Sequence, residues 1–357
     1  MKILIACGGT GGHILPALRL AEELKLRNLE FLLVISGRSI EKKIIPSDYK
    51  FITLNISPLK LSFSLRTLNC FFRFIKAILK SLIILLNFRP DTVVGFGGYA
   101  SFFLVFFAHF LRIKTIIHEE NVIMGKANRL LLPFVDLVSL GFKETEEFFP
   151  SYKNKMVFTT NPLRKTFTKI EKKEAISYFG FNPDHFTILV MGGSQGSHKI
   201  NMTFLQSLVL LKEEIQIIHL SGESDYEILD RFYKALNKKA VVFKFLDNMH
   251  YAFCASDLVI CRAGAMTITE LIFFELPAII IPYPYAGGHQ IYNANILVKK
   301  NCAILIEEKT LDLYNLSAAI SHLIKEPQRL SKMRSNYKEL KSFNPVNLWD
   351  LILNMAN

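Results

Sequence analysis

Short apolar runs alternate with stretches of helical period along the whole chain. Ile3–Cys7 is an apolar run that ends in glycines. From about Ile14 to Leu26 apolar residues recur at helical spacing, and Phe31–Ser36, Thr92–Gly95 and Thr115–His118 are further short runs. These runs are continuously apolar, which predicts strands buried on both faces in a parallel sheet covered by helices. After residue 162 the pattern restarts, with predicted strands at Phe186–Met191, Ile215–Leu220, Val241–Lys244, Leu258–Cys261 and Ala278–Ile281. The openings of the two halves are alike: ILIACGGTGGH at 3–13 and ILVMGGSQGSH at 188–198. The expected organisation is two α/β domains, 1–162 and 163–340, linked near Asn161-Pro162. Residues 341–357 follow, and the helical pattern of Leu348–Met355 predicts a helix that packs back on the first domain.

At 357 residues the chain exceeds one typical core and suits two of about 150–200 residues. With 50% hydrophobic and 21% charged residues, a disordered chain is excluded. Uncharged apolar runs stay below about 18 residues, so no spanning helix is expected; Ser81–Phe88 and Phe102–Leu111 read as buried helix or strand. The run at the N-terminus reads as a first core strand and not as a leader. Five scattered cysteines without a CxxC pair read as reduced thiols in a cytoplasmic protein.

The net charge of +12 is uneven. Residues 1–162 hold 21 Lys/Arg against 12 Asp/Glu, a net of +9. Between Asp48 and Asp91 no acidic residue occurs, and Arg66, Arg73, Lys76 and Lys80 fall on one helical face. Leu65, Leu68, Phe72, Ile75, Leu79, Leu82, Ile83 and Leu86 supply an apolar surface, with Phe63, Phe71 and Phe74 in surplus. Such a helix suits an anionic membrane surface, each basic residue adding about 1 kcal/mol. It is dominated by aliphatics rather than polar readers, so nucleic acid is not an expected partner.

The chemistry gathers at glycine turns. Gly8–Gly12 and Gly192–Gly196 each follow a strand and precede a helix, where backbone N–H groups and the helix dipole cradle an anion. Neither is the dinucleotide fingerprint: Ile14 stands where a third Gly or Ala belongs, and Ser36-Gly37-Arg38 occupy the place of the acid ending the second strand. No GxxxxGK[ST] loop occurs. His13 ends the first turn, as a candidate base whose pKa the helix N-terminus depresses, or as a hydrogen-bonding group. In the second half Cys261–Glu270 reads as strand, tight turn at Gly264, and a helix whose first residues, Ala265, Met266 and Thr267, suit a diphosphate. Glu270, one to two turns in, suits a ribose diol. Gln290 and Asn293 lie in a polar loop and helix start suited to sugar hydroxyls. With no DxD, HExxH or Cys/His cluster, no metal or cofactor is expected, and Arg164, Arg262 and helix dipoles would meet a departing diphosphate.

Gly8–His13, Gly97-Gly98-Tyr99, His118–Asn121, Asn161–Arg164, Gly192–Gly196, Cys261–Glu270 and Gln290–Asn293 occur together in one order. In that combination, over nearly the whole length, the chain resembles the MurG family, the peptidoglycan N-acetylglucosaminyltransferases of glycosyltransferase family 28. The resemblance implies a GT-B fold, two Rossmann-like domains with parallel sheets facing across a cleft. It implies inverting transfer of GlcNAc from UDP-GlcNAc to the 4-hydroxyl of MurNAc in lipid I, giving lipid II. The location implied is peripheral, on the cytoplasmic face of the bacterial plasma (inner) membrane, with cell-wall synthesis proteins as further partners. It places Thr10, Gly11, Gly12, Asn121, Arg164, Ser194, Leu246 and Gln290 around donor or acceptor, Glu270 at the ribose, and His13 as candidate base. Gly12, His13, Gly98 and Tyr99 fall near the acceptor diphosphate. Four positions depart from the family's pattern: Glu120 replaces Gln in HEQN, Thr160 replaces the Gly before Asn-Pro, Phe103 replaces the Pro of GGYxSxP, and His289 replaces the first of two late Gln. Another enzyme of the same fold, a glycolipid synthase or a UDP-GlcNAc 2-epimerase, is the alternative.

Overall fold

The computed structural model describes residues 1–8, 11–56, 65–285, 288–341 and 345–356. The chain divides into two compact units, Met1–Leu163 with Pro345–Asn357, and Arg164–Asn344. In the first unit the order is β1 (Lys2–Ala6), α1 (Gly11–Leu26), β2 (Glu30–Ile35), α2 (Ser39–Ile44), β3 (Phe51–Thr53) and α3 (Leu65–Phe88). There follow β4 (Thr92–Gly95), α4 (Gly98–Phe110), β5 (Lys114–Glu119), α5 (Lys126–Leu131), β6 (Leu137–Leu140) and β7 (Met156–Phe158). All seven strands are parallel, in the order β3-β2-β1-β4-β5-β6-β7.

Period-two alternation sends each strand's side chains into two different cores. Ile3 and Ile5 of β1 pack with Ile14, Ala17, Leu20, Ala21 and Leu24 of α1. Leu4 and Ala6 pack on the opposite face with Ile84, Leu85, Ala100, Leu104 and Val105 of α3 and α4. Both faces are dry, which is why the strand reads as an unbroken apolar run. The run at Phe102–Leu111, open between helix and strand in the sequence, is the helix α4, with Phe103, Leu104, Val105 and Ala108 buried.

The second unit runs α6 (Lys172–Tyr178), β8 (Phe186–Met191), α7 (His198–Ser207), β9 (Ile215–Leu220), α8 (Tyr226–Ala235), β10 (Ala240–Phe243) and α9 (Met249–Ala255). It continues with β11 (Leu258–Cys261), α10 (Ala265–Phe274), β12 (Ala278–Ile280), α11 (His289–Val298), β13 (Ala303–Leu305), α12 (Leu313–Lys325) and α13 (Pro327–Lys341). Its sheet is also parallel, β10-β9-β8-β11-β12-β13. The final helix, α14 (Leu348–Ala356), belongs to the first unit. Trp349 and Ile352 are buried in the core beside Leu24, and the Arg27 guanidinium lies 4.7 Å from the Trp349 ring centre. Val346 N–H donates to the Phe158 carbonyl at 3.0 Å, so the returning chain joins near the end of β7.

In both sheets the strand order reverses beside the first strand, between β1 and β4 and between β8 and β11. In parallel sheets the loops leaving the carboxyl ends of such a pair diverge to opposite faces, and a ligand usually binds there. Among the described residues no helix is long and apolar enough to cross a membrane.

Thr160 adopts φ +62°, the left-handed region, which is strained for a β-branched side chain. That explains why a glycine suits the position. Thr160→Gly is therefore expected to stabilise the first unit by about 1 kcal/mol, the relief of strain exceeding the added freedom of the unfolded chain. Equilibrium urea denaturation measures it, as a higher midpoint at unchanged slope.

Candidate functional site

At the reversal point of the first sheet, the loop after β1 and the loop after β4 touch through backbone. A Cβ at Gly98, which has φ +81°, would fall on the carbonyl oxygen of Gly8. Only glycine lets the two chains approach this closely. Gly12 and His13 lie in the first turn of α1, which begins at Gly11, earlier than the apolar period suggests. Tyr99, in the first turn of α4, is 45% exposed. Thr10 lies outside the described residues.

His13 is held by a residue far away in sequence. Its Nδ1 is 3.2 Å from Oε1 of Glu120, just beyond β5, and its ring lies against Gly97. Glu120 is 3% exposed, against 28% for His13. Burial alone would lower the imidazole's pKa. The charge and hydrogen bond of Glu120, helped by Glu119 and opposed by Arg38, carry it above the ordinary histidine value. The sequence led to the opposite expectation, a pKa depressed by the helix N-terminus; the carboxylate outweighs that effect.

A buried polar chain fixes the segment bearing Glu120. His118 lies between Ser139 Oγ at 2.7 Å on Nδ1 and Asn161 Oδ1 at 3.0 Å on Nε2. The Asn161 amide in turn donates to the Glu120 carbonyl at 3.1 Å. Burial pushes the His118 pKa down, so the ring is neutral, donating from Nε2 and accepting the Ser139 hydroxyl proton. Glu119 does different work. One of its oxygens accepts from the Asn121 N–H at 3.0 Å, and the other from Gly125 N–H at 2.9 Å and the Asn128 amide at 3.0 Å. Asn121 is thus positioned by its neighbour, with its side-chain amide 3.3 Å from Glu119.

The second unit also brings two loops into backbone contact, from the neighbouring strands β8 and β9. A Cβ at Gly196, φ +75°, would strike the Ser221 carbonyl, so the β8–α7 turn lies on the loop after β9. Ser194 is exposed in that turn, and Leu246, shortly after β10, is buried. Gly264 caps α10 without a side chain, so the first N–H groups of the helix, at Ala265, Met266 and Thr267, lack intrahelical partners. Gln290 Oε1 accepts from the Ala263 N–H at 3.1 Å and the Tyr283 N–H at 2.9 Å, and the buried Asn293 donates to the Ala263 carbonyl at 3.1 Å. These two side chains brace the turn that precedes α10. Arg262 is a strut as well. It donates to Ser197 Oγ at 2.8 Å and the Ile281 carbonyl at 3.1 Å, pairs with Glu308, and lies against the Tyr283 ring. Arg164 is the cation whose charge acts on Glu270. Burial pushes the Glu270 carboxyl up to about 8, with the Arg164 charge pulling it the other way.

Lys76 and Lys80 lie on α3, and Lys80 Nζ donates to the Thr53 carbonyl at 2.7 Å. The side chains of Arg66, Phe71, Arg73 and Phe74 fall outside the described residues. Among the described residues no group of three or more His, Cys, Asp or Glu is placed to hold a metal ion. The Glu120–His13 pair had no short-range sequence signal, being 107 residues apart.

Comparison with known proteins bears on both units. Residues 3–139 match the N-terminal domain of glycosyltransferase family 28, and residues 187–345 match its C-terminal domain. The UDP-N-acetylglucosamine–N-acetylmuramyl-(pentapeptide) pyrophosphoryl-undecaprenol N-acetylglucosamine transferase of Caldanaerobacter subterraneus subsp. tengcongensis is 35% identical over 349 residues, 95% of each chain. The protein of that name from Syntrophus aciditrophicus is 39% identical over 347 residues, 95% of this chain and 94% of its own. The crystal structure of Acinetobacter baumannii MurG matches with a TM-score of 0.77 at 26% identity, covering 95% of this chain and 94% of that one. A UDP-GlcNAc 2-epimerase from Neisseria meningitidis, at 17% identity and a TM-score of 0.64 over 94% of each chain, shares the fold alone. Two parallel-sheet α/β units of this kind in one chain constitute the GT-B fold. The chain is a glycosyltransferase that belongs to the MurG group of glycosyltransferase family 28.

Proposed function

We propose that the chain transfers GlcNAc from UDP-GlcNAc to the 4-hydroxyl of MurNAc in undecaprenyl-pyrophosphoryl-MurNAc-pentapeptide, with inversion at the anomeric carbon. The carrying observation is identity of 34–39% over about 95% of both chains to several relatives named for that transfer. The turn geometry supports it. The α10 N-terminus at Gly264–Thr267 offers unpaired N–H groups and a helix dipole to the donor diphosphate, and Glu270 with Arg164 serves the ribose end. The loops at Gly8–His13 and Gly97–Tyr99 serve the acceptor. The acceptor oxygen attacks C1 opposite the leaving group and gives its proton to the Nε2 of His13. The C1–O bond to the β-phosphate breaks, and its electron pair leaves with UDP.

Membranes carrying the lipid acceptor, supplied with UDP-GlcNAc, are expected to yield UDP and a β-linked disaccharide lipid. His13→Ala should cut turnover by about 10²–10⁴-fold while donor affinity changes little. No turnover by a folded wild type sinks the proposal, and isomerisation of UDP-GlcNAc without acceptor would turn it toward an epimerase.

The raised pKa of Glu270 makes donor binding pH-dependent. A ribose diol donates to the ionised carboxylate, so below about 8 binding must first remove a proton from Glu270. Calorimetry at about pH 7 in buffers of different ionisation enthalpy is expected to show proton release on UDP binding. Affinity should rise with pH toward about 8, and Glu270→Gln should abolish both effects. Affinity independent of pH in the wild type counts against the ribose role.

A membrane-facing role for α3 belongs to the same reading. Ile75, Leu79, Ile83 and Leu86 form an exposed stripe at helical spacing, flanked by the exposed Lys76 and Lys80. The combined variant Leu79→Asp, Ile83→Asp and Lys76→Glu is expected to leave anionic phosphatidylglycerol vesicles in co-sedimentation while still binding UDP. Unchanged sedimentation removes the helix from that role.

A further inference from the structure

The pairing of His13 with Glu120 reaches beyond substrate binding. The carboxylate is 3% exposed, its segment is pinned by the Asn161 amide, and its oxygen points at Nδ1 of the imidazole from 3.2 Å. Bound at Nδ1, the ring keeps its proton there and presents Nε2 as the basic nitrogen. Gly97 packs against the ring and, lacking a side chain, leaves it room in this orientation.

We propose that Glu120 is the positioning residue of this enzyme's base: it fixes the tautomer and direction of the His13 imidazole and balances the positive charge the ring acquires as it takes the acceptor's proton. This rests on the transferase reading above. Proton and electrons balance within that one step. The acceptor hydroxyl proton moves to Nε2, the new C–O bond forms, and UDP leaves with the electron pair of the broken bond. Glu120 takes no part in the proton transfer itself.

Glu120 and Glu119, from the end of β5, favour the imidazolium, and Arg38, after β2, disfavours it. His118 is neutral in its buried network. Cys7, at the end of β1, remains a thiol, its pKa raised by burial and by the charges of Glu41 and Glu120. Removing the charge at Glu120 takes away the main attraction that holds the proton on His13, and burial then lowers the imidazole's pKa. Activity that requires neutral His13 rises with pH through that pKa. The acid limb of the rate profile should therefore move to lower pH, while the maximal rate falls because ring orientation and charge balance are lost.

The test is the isosteric variant Glu120→Gln, compared with Glu120→Asp and wild type. The full chain is assayed with UDP-GlcNAc and a short-chain lipid acceptor, beside an NMR titration of the His13 ring. Expected for Glu120→Gln are kcat lower by about ten- to a hundredfold, donor KM within about twofold, and an acid limb displaced to lower pH in step with the His13 titration. Glu120→Asp should keep the wild-type direction of the His13 shift and recover part of kcat. An unchanged His13 titration in Glu120→Gln overturns the pair. A shifted titration with an unmoved acid limb overturns its service to the reaction. An equal fall of kcat at every pH, matched by Glu120→Asp, marks Glu120 as structural only and also overturns it. Absence of turnover by the wild type is a failure of the transferase reading instead, and the NMR titration still decides whether the pair exists.

Discussion

Close backbone approach at the carboxyl edge of each sheet is the constraint on which the rest depends. In a parallel sheet every strand delivers its chain to the same edge, so the crossovers crowd there. Where strand order reverses, loops from neighbouring strands part to opposite faces, and their first residues must pass within contact of one another. Gly98 on Gly8 meets that demand in the first sheet by having no side chain; Gly196 approaches the loop after β9 just as closely, on the side of β8 away from the reversal of the second sheet. A methyl group at either place would displace a carbonyl and with it the helix start that follows. Both sheets thus prepare a helix N-terminus with unpaired N–H groups, and the polar side chains are arranged around that backbone feature.

Around each of these turns the buried polar groups are mostly supports. Gln290 and Asn293, which the sequence suggests for sugar hydroxyls, hydrogen-bond the turn before α10 in this structure. Arg262 carries charge, but its guanidinium is engaged by Ser197, Glu308 and a backbone carbonyl. His118, Ser139 and Asn161 play the corresponding part in the first unit. A site that must hold an anion against the mobility of glycine loops gains rigidity from such anchoring.

The strands with long apolar runs were legible in the sequence because dry packing on both faces leaves an unbroken signature, as in Ile3–Cys7 and Phe186–Met191. The glycine turns were legible because they stand between such a run and a helical period. The strands β3, β6, β7 and β13 were not; β3, β7 and β13 lie at the sheet edges and are only partly buried, so dry packing on both faces leaves no mark on them. Phe102–Leu111 was ambiguous because a helix buried on most sides is apolar all round. Side-chain partnerships across the chain were beyond reach: nothing near His13 announces Glu120, and nothing near Arg262 announces Glu308. Thr160 is the reverse case. Its place in the motif flagged a missing glycine, and its φ of +62° gives the physical reason.

The return of α14 to the first unit makes the second unit an insertion within the first. On the ribosome, the second unit has every residue of its sheet as soon as α13 is made. The first unit, though it starts first, lacks Trp349 and Ile352, two members of its buried core, until α14 is made. Vectorial synthesis therefore finishes the two halves in reverse order of their beginnings, and the half made first spends nearly the whole of translation without the last piece of its core.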